Sequence, residues 1–138
     1  MIEALLDPSV LDAIRLAAGE AAPDEACGAL LGTAGERVHI SAFRRLRNLA
    51  ERHDRFLVDP GDLWRADAEA RALGLQLVGV FHSHPDGVAR PSSRDAAFAA
   101  LWGRMVWLIG GRDGEQAAFV FGPEGRWLDV LVVSSAAP

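Results

Sequence analysis

The segment LQLVGVF, Leu75 to Phe81, is apolar on both faces and rich in valine and leucine. Such a strand has no side to offer water, so it reads as a buried central strand with layers packed on both its faces. It also delivers the chain directly to His82-Ser83-His84-Pro85. Whatever chemistry those histidines carry therefore sits at the end of a buried strand.

The remaining segments supply the covering layers. Asp7 can cap a first helix, with Pro8 at its first position. Val10, Ile14, Ala17 and Ala21 then share one face at helical spacing, and Pro23 ends the run. EACGALLG and RVHISAF read as strands joined by a turn around TAGE, and RFLV (55–58) as a further short strand. DPGDLWRADAEARALG reads as a second helix, with Asp59 as cap, Pro60 just inside and Gly74 as the stop. Its apolar stripe is Leu63, Ala66, Ala70 and Leu73. A third helix is expected from near Ser92 to near Trp102. MVWLIGG, QAAFVFG and WLDVLVVSS follow as strands, separated by RDGE and PEGR turns. Strands and helices mix without strict alternation, which favours α+β, helices packed against one mixed sheet. No repeat, low-complexity segment or linker interrupts the chain, so residues 1–138 read as a single domain.

A net charge of −5 argues against a nucleic-acid partner, which calls for a basic face. The run RRLRN (Arg44, Arg45, Arg47) is the local exception and reads as a solvated surface. Cys27 is the single cysteine, so no intrachain disulfide forms, as suits a reducing compartment. The opening MIEALLDPS is acidic and lacks the basic region of a signal peptide. No apolar run approaches the roughly 20 residues that span a bilayer. The expectation is a cytoplasmic protein with no membrane association; its oligomeric state stays open.

Side chains alternate along a strand, so His82 and His84 point to one side and Ser83 to the other. Two imidazoles on one face can share a cation, and Pro85 bars continuation of the ladder. A catalytic zinc keeps three protein ligands, commonly imidazole or carboxylate, plus water. Asp95 is the nearest good third candidate after the turn. Ser92-x-x-Asp95 also fits the capping-box pattern, and capping and ligation compete in part for the same carboxylate. Asp86 and Asp54 are further carboxylates with nothing to lift them above loop residues. Cys27 could be a thiolate ligand, but reads better as a small buried apolar residue. His39 and His53 read as ordinary strand or surface residues, and the four tryptophans as packing residues.

The full pattern, His82-Ser-His84-Pro85, six residues, then Ser92-x-x-Asp95, resembles the signature of the JAMM (MPN-plus) metalloproteases. PDEACGALLG supplies the upstream glutamate of that signature as Glu25. RFLVDP and Asn48 also resemble bacterial members. The resemblance covers essentially the whole chain in the right order. It implies one zinc per chain on His82, His84 and Asp95, with water in the fourth position. Glu25 would hydrogen-bond that water as general base, Ser92 would donate to the oxyanion, and Ser83 would be a supporting residue. The implied fold is a curved mixed β-sheet flanked by helices, in the JAMM/MPN layout that is similar to cytidine deaminases. The implied activity is hydrolysis of the peptide or isopeptide bond after the Gly-Gly tail of a ubiquitin-like β-grasp protein or sulfur-carrier protein. Two other readings remain: a metal-free MPN-type scaffold that binds protein partners, and a zinc hydrolase of small amides.

Overall fold

The computed structural model describes residues 2–103 and 105–134. Along the chain these form β1 (Ile2–Leu6), α1 (Pro8–Ala21), β2 (Cys27–Thr33), β3 (Arg37–Leu46), α2 (Pro60–Ala72), β4 (Gln76–Ser83), α3 (Ser93–Trp102), β5 (Val106–Gly110), β6 (Gln116–Phe121) and β7 (Trp127–Ser134). The last residue of WLDVLVVSS lies outside the described residues.

β4 is the central strand that LQLVGVF requires, antiparallel to β2 on one side and parallel to β5 on the other. On one face of the sheet, Val10 and Ile14 of α1 pack with Leu30, Ile40, Phe81 and Leu108. On the other, Leu63, Ala66 and Ala70 of α2 and Ala99 of α3 pack with Ala29, Val80 and Trp107. Each fully buried aliphatic or aromatic side chain contributes roughly 1.5–3 kcal/mol. One residue of β4, Val78, is bulged: Leu30 faces Gly79 but Leu31 faces Leu77. Beyond it the alternation is regular, so His82 follows Val80 onto the α2/α3 face and Ser83 follows Phe81 onto the other.

The α+β class agrees with the sequence, but the sheet is not an open curved one. Its order is β1-β3-β2-β4-β5-β6-β7, and β1 pairs in parallel with both β3 and β7, closing it into a barrel. The closing strand is IEALL, too short to show a periodic signal and read from sequence only for its charge. It buries Ala4 and Leu6 and occupies the edges that β3 and β7 would otherwise expose.

Three local expectations also change. RFLV is not a strand: residues 47–59 form an irregular segment in which Phe56 and Val58 are buried. The Leu57 N–H donates to the Asn48 side chain and its carbonyl accepts from Leu49, so no strand neighbour is needed. Asp7 holds the N-cap position of α1 but makes no side-chain cap bond; its carboxylate pairs with His39 at 2.8 Å. Leu73, expected on the buried stripe of α2, is exposed at the helix end, just before Gly74 turns the chain with φ 76°. Asp59 caps α2 as expected, accepting from Gly61 N–H at 2.9 Å. The arginines of RRLRN are ion-paired, Arg44 with Glu69, Arg45 with Glu20 and Arg47 with Asp62. Among the described residues no helix is long and apolar enough to cross a membrane.

Candidate metal centre

Three elements converge at the C-terminal end of β4. His82 lies in the strand, His84 just beyond it, and Asp95 in the first turn of α3. His82 Nε2 is 3.0 Å from His84 Nε2 and 3.1 Å from Asp95 Oδ2; His84 Nε2 is 3.6 Å from the same oxygen. A tetrahedral zinc bound at about 2.1 Å sets its ligand atoms about 3.4 Å apart, so the three donors fit that ion. The rings are held from behind. Phe56 stacks on His82 with centroids 4.5 Å apart. His84 Nδ1 lies 2.9 Å from the Val88 carbonyl, which as acceptor fixes a proton on Nδ1 and leaves the Nε2 lone pair facing inward.

The capping box is present in full. Ser92 Oγ accepts from Asp95 N–H at 3.2 Å, and Asp95 Oδ2 accepts from Ser92 N–H at 2.8 Å. That oxygen is also the one facing the histidines. Capping and ligation therefore share a single atom with two lone pairs, rather than excluding each other.

Glu25, in the segment before β2, brings a second carboxylate. One of its oxygens and the two imidazole nitrogens all lie within 4.8 Å of one another. The environments push the two carboxyls apart. Burial raises Glu25 to about 7, with further upward push from Asp95 and Asp54 against His84 and Arg94. Burial alone would raise Asp95 too, but hydrogen bonds with His82, His84 and the Ser92 N–H hold it well below the usual carboxylate range. Burial lowers His82. For His84 burial acts downward, and the Asp95, Val88 and Glu25 oxygens outweigh it, leaving the group raised.

Glu25, Ser92 and Asp95 line a cleft of about 620 Å³, together with the apolar side chains of Leu49, Phe56, Leu57 and Phe98 and the rim residues Arg52, Asp54 and Arg94. Of the other sequence candidates, Asp86 is exposed and is not among the converging donors. Asp54 sits on the cleft rim, paired with Arg52 and Arg94. Cys27 is buried, its thiol directed at the Leu46 and Arg47 carbonyls at 3.6 and 3.7 Å. Burial pushes that thiol up to about 12, which suits a packing residue and not a thiolate ligand. His53 is exposed and pairs with Asp24. Ser83 is buried, and its Oγ accepts from Ala26 N–H at 2.8 Å. Phe56 was missed as a site residue, since a lone aromatic in RFLV signals burial but not what it is buried against.

The sequence pattern described as prokaryotic homologs of the JAB domain matches residues 7–129. A relative from Pyrococcus furiosus named "Desampylase" is 30% identical over 109 residues, covering 79% of this chain and 75% of its own. A "Desampylase" from Haloferax volcanii is 32% identical, covering 90% of this chain and 89% of its own. A "Probable TtuB-protein conjugate cleaving protease" from Thermus thermophilus is 38% identical over 56% of this chain and 50% of its own. The solution structure of protein DSY2949 from Desulfitobacterium hafniense superposes with a TM-score of 0.82 at 27% identity, covering 98% of this chain and 94% of that one.

Proposed function

The chain belongs to the prokaryotic homologs of the JAB domain, the JAMM family in its minimal form, and from that premise we propose that it is a zinc-dependent hydrolase. Its bond is the peptide or isopeptide bond after the Gly-Gly tail of a ubiquitin-like or sulfur-carrier protein. The observation that carries the proposal is the meeting of two imidazoles with two differently tuned carboxyls, both of which line one cleft. The names of the desampylases and of the conjugate-cleaving relative support the substrate class.

His82, His84 and Asp95 would hold one zinc, which when bound polarises the scissile carbonyl and brings the pKa of attacking water near 7. The split between the carboxyls supports the division of labour. A carboxyl kept ionised beside two imidazoles suits ligation, whereas one that titrates near neutrality suits general acid–base work. Glu25 takes a proton from the attacking water on its carboxylate and returns it to the leaving amine. Ser92 Oγ uses a lone pair for the cap, which leaves its O–H free to donate a hydrogen bond to the carbonyl oxygen as charge develops there. The cleft accepts the tail in extended form, and glycines let the backbone approach its floor closely.

The test uses zinc-loaded protein and a β-grasp sulfur-carrier fusion whose tail ends Gly-Gly before a C-terminal peptide, read by mass spectrometry. Cleavage directly after the second glycine is expected, and an Ala-Ala tail should resist. Asp95→Ala should lose the metal by elemental analysis. Glu25→Gln should keep it and turn over about 10²–10⁴-fold more slowly. Equal cleavage of both tails would replace this reading with a general peptidase; neither zinc binding nor any cleavage would replace it with a metal-free scaffold.

A further inference from the structure

Glu25 lies in irregular backbone between α1 and β2, where no full ladder holds it. The peptide unit that follows it is held instead at both polar ends by side chains. The Glu25 carbonyl accepts from Asn48 Nδ2 at 3.0 Å. The Ala26 N–H donates to Ser83 Oγ at 2.8 Å. Together these set the ψ of Glu25 and the φ of Ala26, and so the direction in which the carboxylate leaves the chain. Ser83 stands between the two histidines, so one end of this peptide is tied to the strand that carries them.

The other end is tied to the cleft. Asn48 spends its whole hydrogen-bonding capacity here. Besides the Glu25 carbonyl, Nδ2 donates to the Arg55 carbonyl at 3.1 Å, while Oδ1 accepts from Ala50 N–H at 2.9 Å and Leu57 N–H at 3.0 Å. Two carbonyls on one side and two N–H groups on the other leave no ambiguity about which way the amide faces. Ala50, Arg55 and Leu57 line the cleft. One half-buried side chain therefore bridges the cleft wall and the backbone of the glutamate.

We infer that Asn48 is a positioning residue, which with Ser83 clamps the Glu25–Ala26 peptide and aims the Glu25 carboxylate at the reacting centre. The inference rests on the hydrolase reading above for what Glu25 does. Geometry of this kind matters because a misplacement of about 1 Å can cost on the order of a hundred-fold in rate.

The test uses Asn48→Asp beside Asn48→Ala. The aspartate keeps the acceptor bonds that fold the wall around Ala50 and Leu57, and replaces the donor facing Glu25 by an oxygen. In metal-free protein, amide hydrogen exchange should quicken at Ala26 in both variants while the core amides of Leu108 and Ile109 stay unchanged. With the Gly-Gly fusion as substrate, kcat of Asn48→Asp should fall about ten- to a hundred-fold, with zinc content intact and KM little changed. In a Glu25→Gln background the same substitution should cost nothing further, because a residue acting through Glu25 has nothing left to aim. Unaltered exchange at Ala26 overturns the clamp. A slow Glu25→Gln enzyme that Asn48→Asp slows by the same factor again overturns the positioning role alone. Full turnover in Glu25→Gln overturns the hydrolase mechanism and the positioning role with it.

Discussion

The cap that Ser92 Oγ forms and the oxyanion role proposed for it are separable by experiment. Loss of its hydroxyl removes the cap of α3, worth about 1 kcal/mol. If it also donates to the developing oxyanion, kcat falls by about 10²–10³. Ser92→Ala should therefore show a small drop in melting temperature, full zinc content and a large loss of turnover; a stable, fully active variant would reduce Ser92 to a cap. Glu25 yields a prediction about pH. Its carboxyl is raised from 4.5 to about 7 by burial. Between those values the native state holds a proton that the unfolded chain has lost. Stability from this group is therefore full at acid pH and is lost as pH rises through the folded value. Metal-free protein should melt lower at pH 8 than at pH 5.5, and Glu25→Gln should flatten that dependence. A wild-type melt that rises over this range without a matching rise in the variant would contradict the burial that tunes the group.

Among the elements, β4 does most to place the site, and its glycine shows how tightly it is held. A Cβ at Gly79 would collide with the Val106 carbonyl of β5. The two parallel strands can reach their register, Gly79 opposite Val106 through Ser83 opposite Gly110, only with no side chain there. That register runs straight to His82. Gly79→Ala should cost about 1–3 kcal/mol or more by denaturant unfolding, as overpacking does, and should weaken zinc binding by shifting the strand end. Unchanged stability would mean that β5 yields easily. α3 places Asp95 differently. It buries Ala99, packs Phe98 and Trp102 against the core, and fixes its first turn with the capping box that holds Asp95.

At the scale of the whole molecule, closure of the sheet by β1 is the feature with the largest consequence. β1 is parallel to both neighbours, and it supplies Ala4 and Leu6 to the core beneath α1. Without it, β3 and β7 become open edges, a template for pairing with other chains. Deleting residues 2–6 should abolish cooperative unfolding or drive self-association, seen by thermal melting and size-exclusion chromatography. A monomeric, cooperatively folding deletion would show that the barrel closes by other means.

Much of the fold, and the placing of His82, His84 and Asp95 in one cluster, was legible in the sequence because it depends on local patterns. LQLVGVF requires a doubly covered strand wherever it lies. His-x-His at its end must put two imidazoles on one side, and Ser92-x-x-Asp95 must open a helix. Proline and glycine punctuate α1 and α2 at Pro8, Pro60 and Gly74 for steric reasons that need no partner. What the tertiary structure decided is what depends on neighbours distant in sequence. IEALL becomes a strand only because β3 and β7 offer it two edges. RFLV fails to become one because the Asn48 side chain takes the backbone groups that a strand partner would use. The charges of His84, Asp95, Asp54 and Arg94 that act on Glu25, and the His82 and His84 hydrogen bonds that depress Asp95, come from other segments of the chain, and the burial that lifts Glu25 exists only once those segments pack. The contrast between two chemically similar carboxyls, one raised and one lowered, is therefore a property of the assembled site, because a pKa is set by solvent exclusion and nearby charge, and neither exists until the chain is folded.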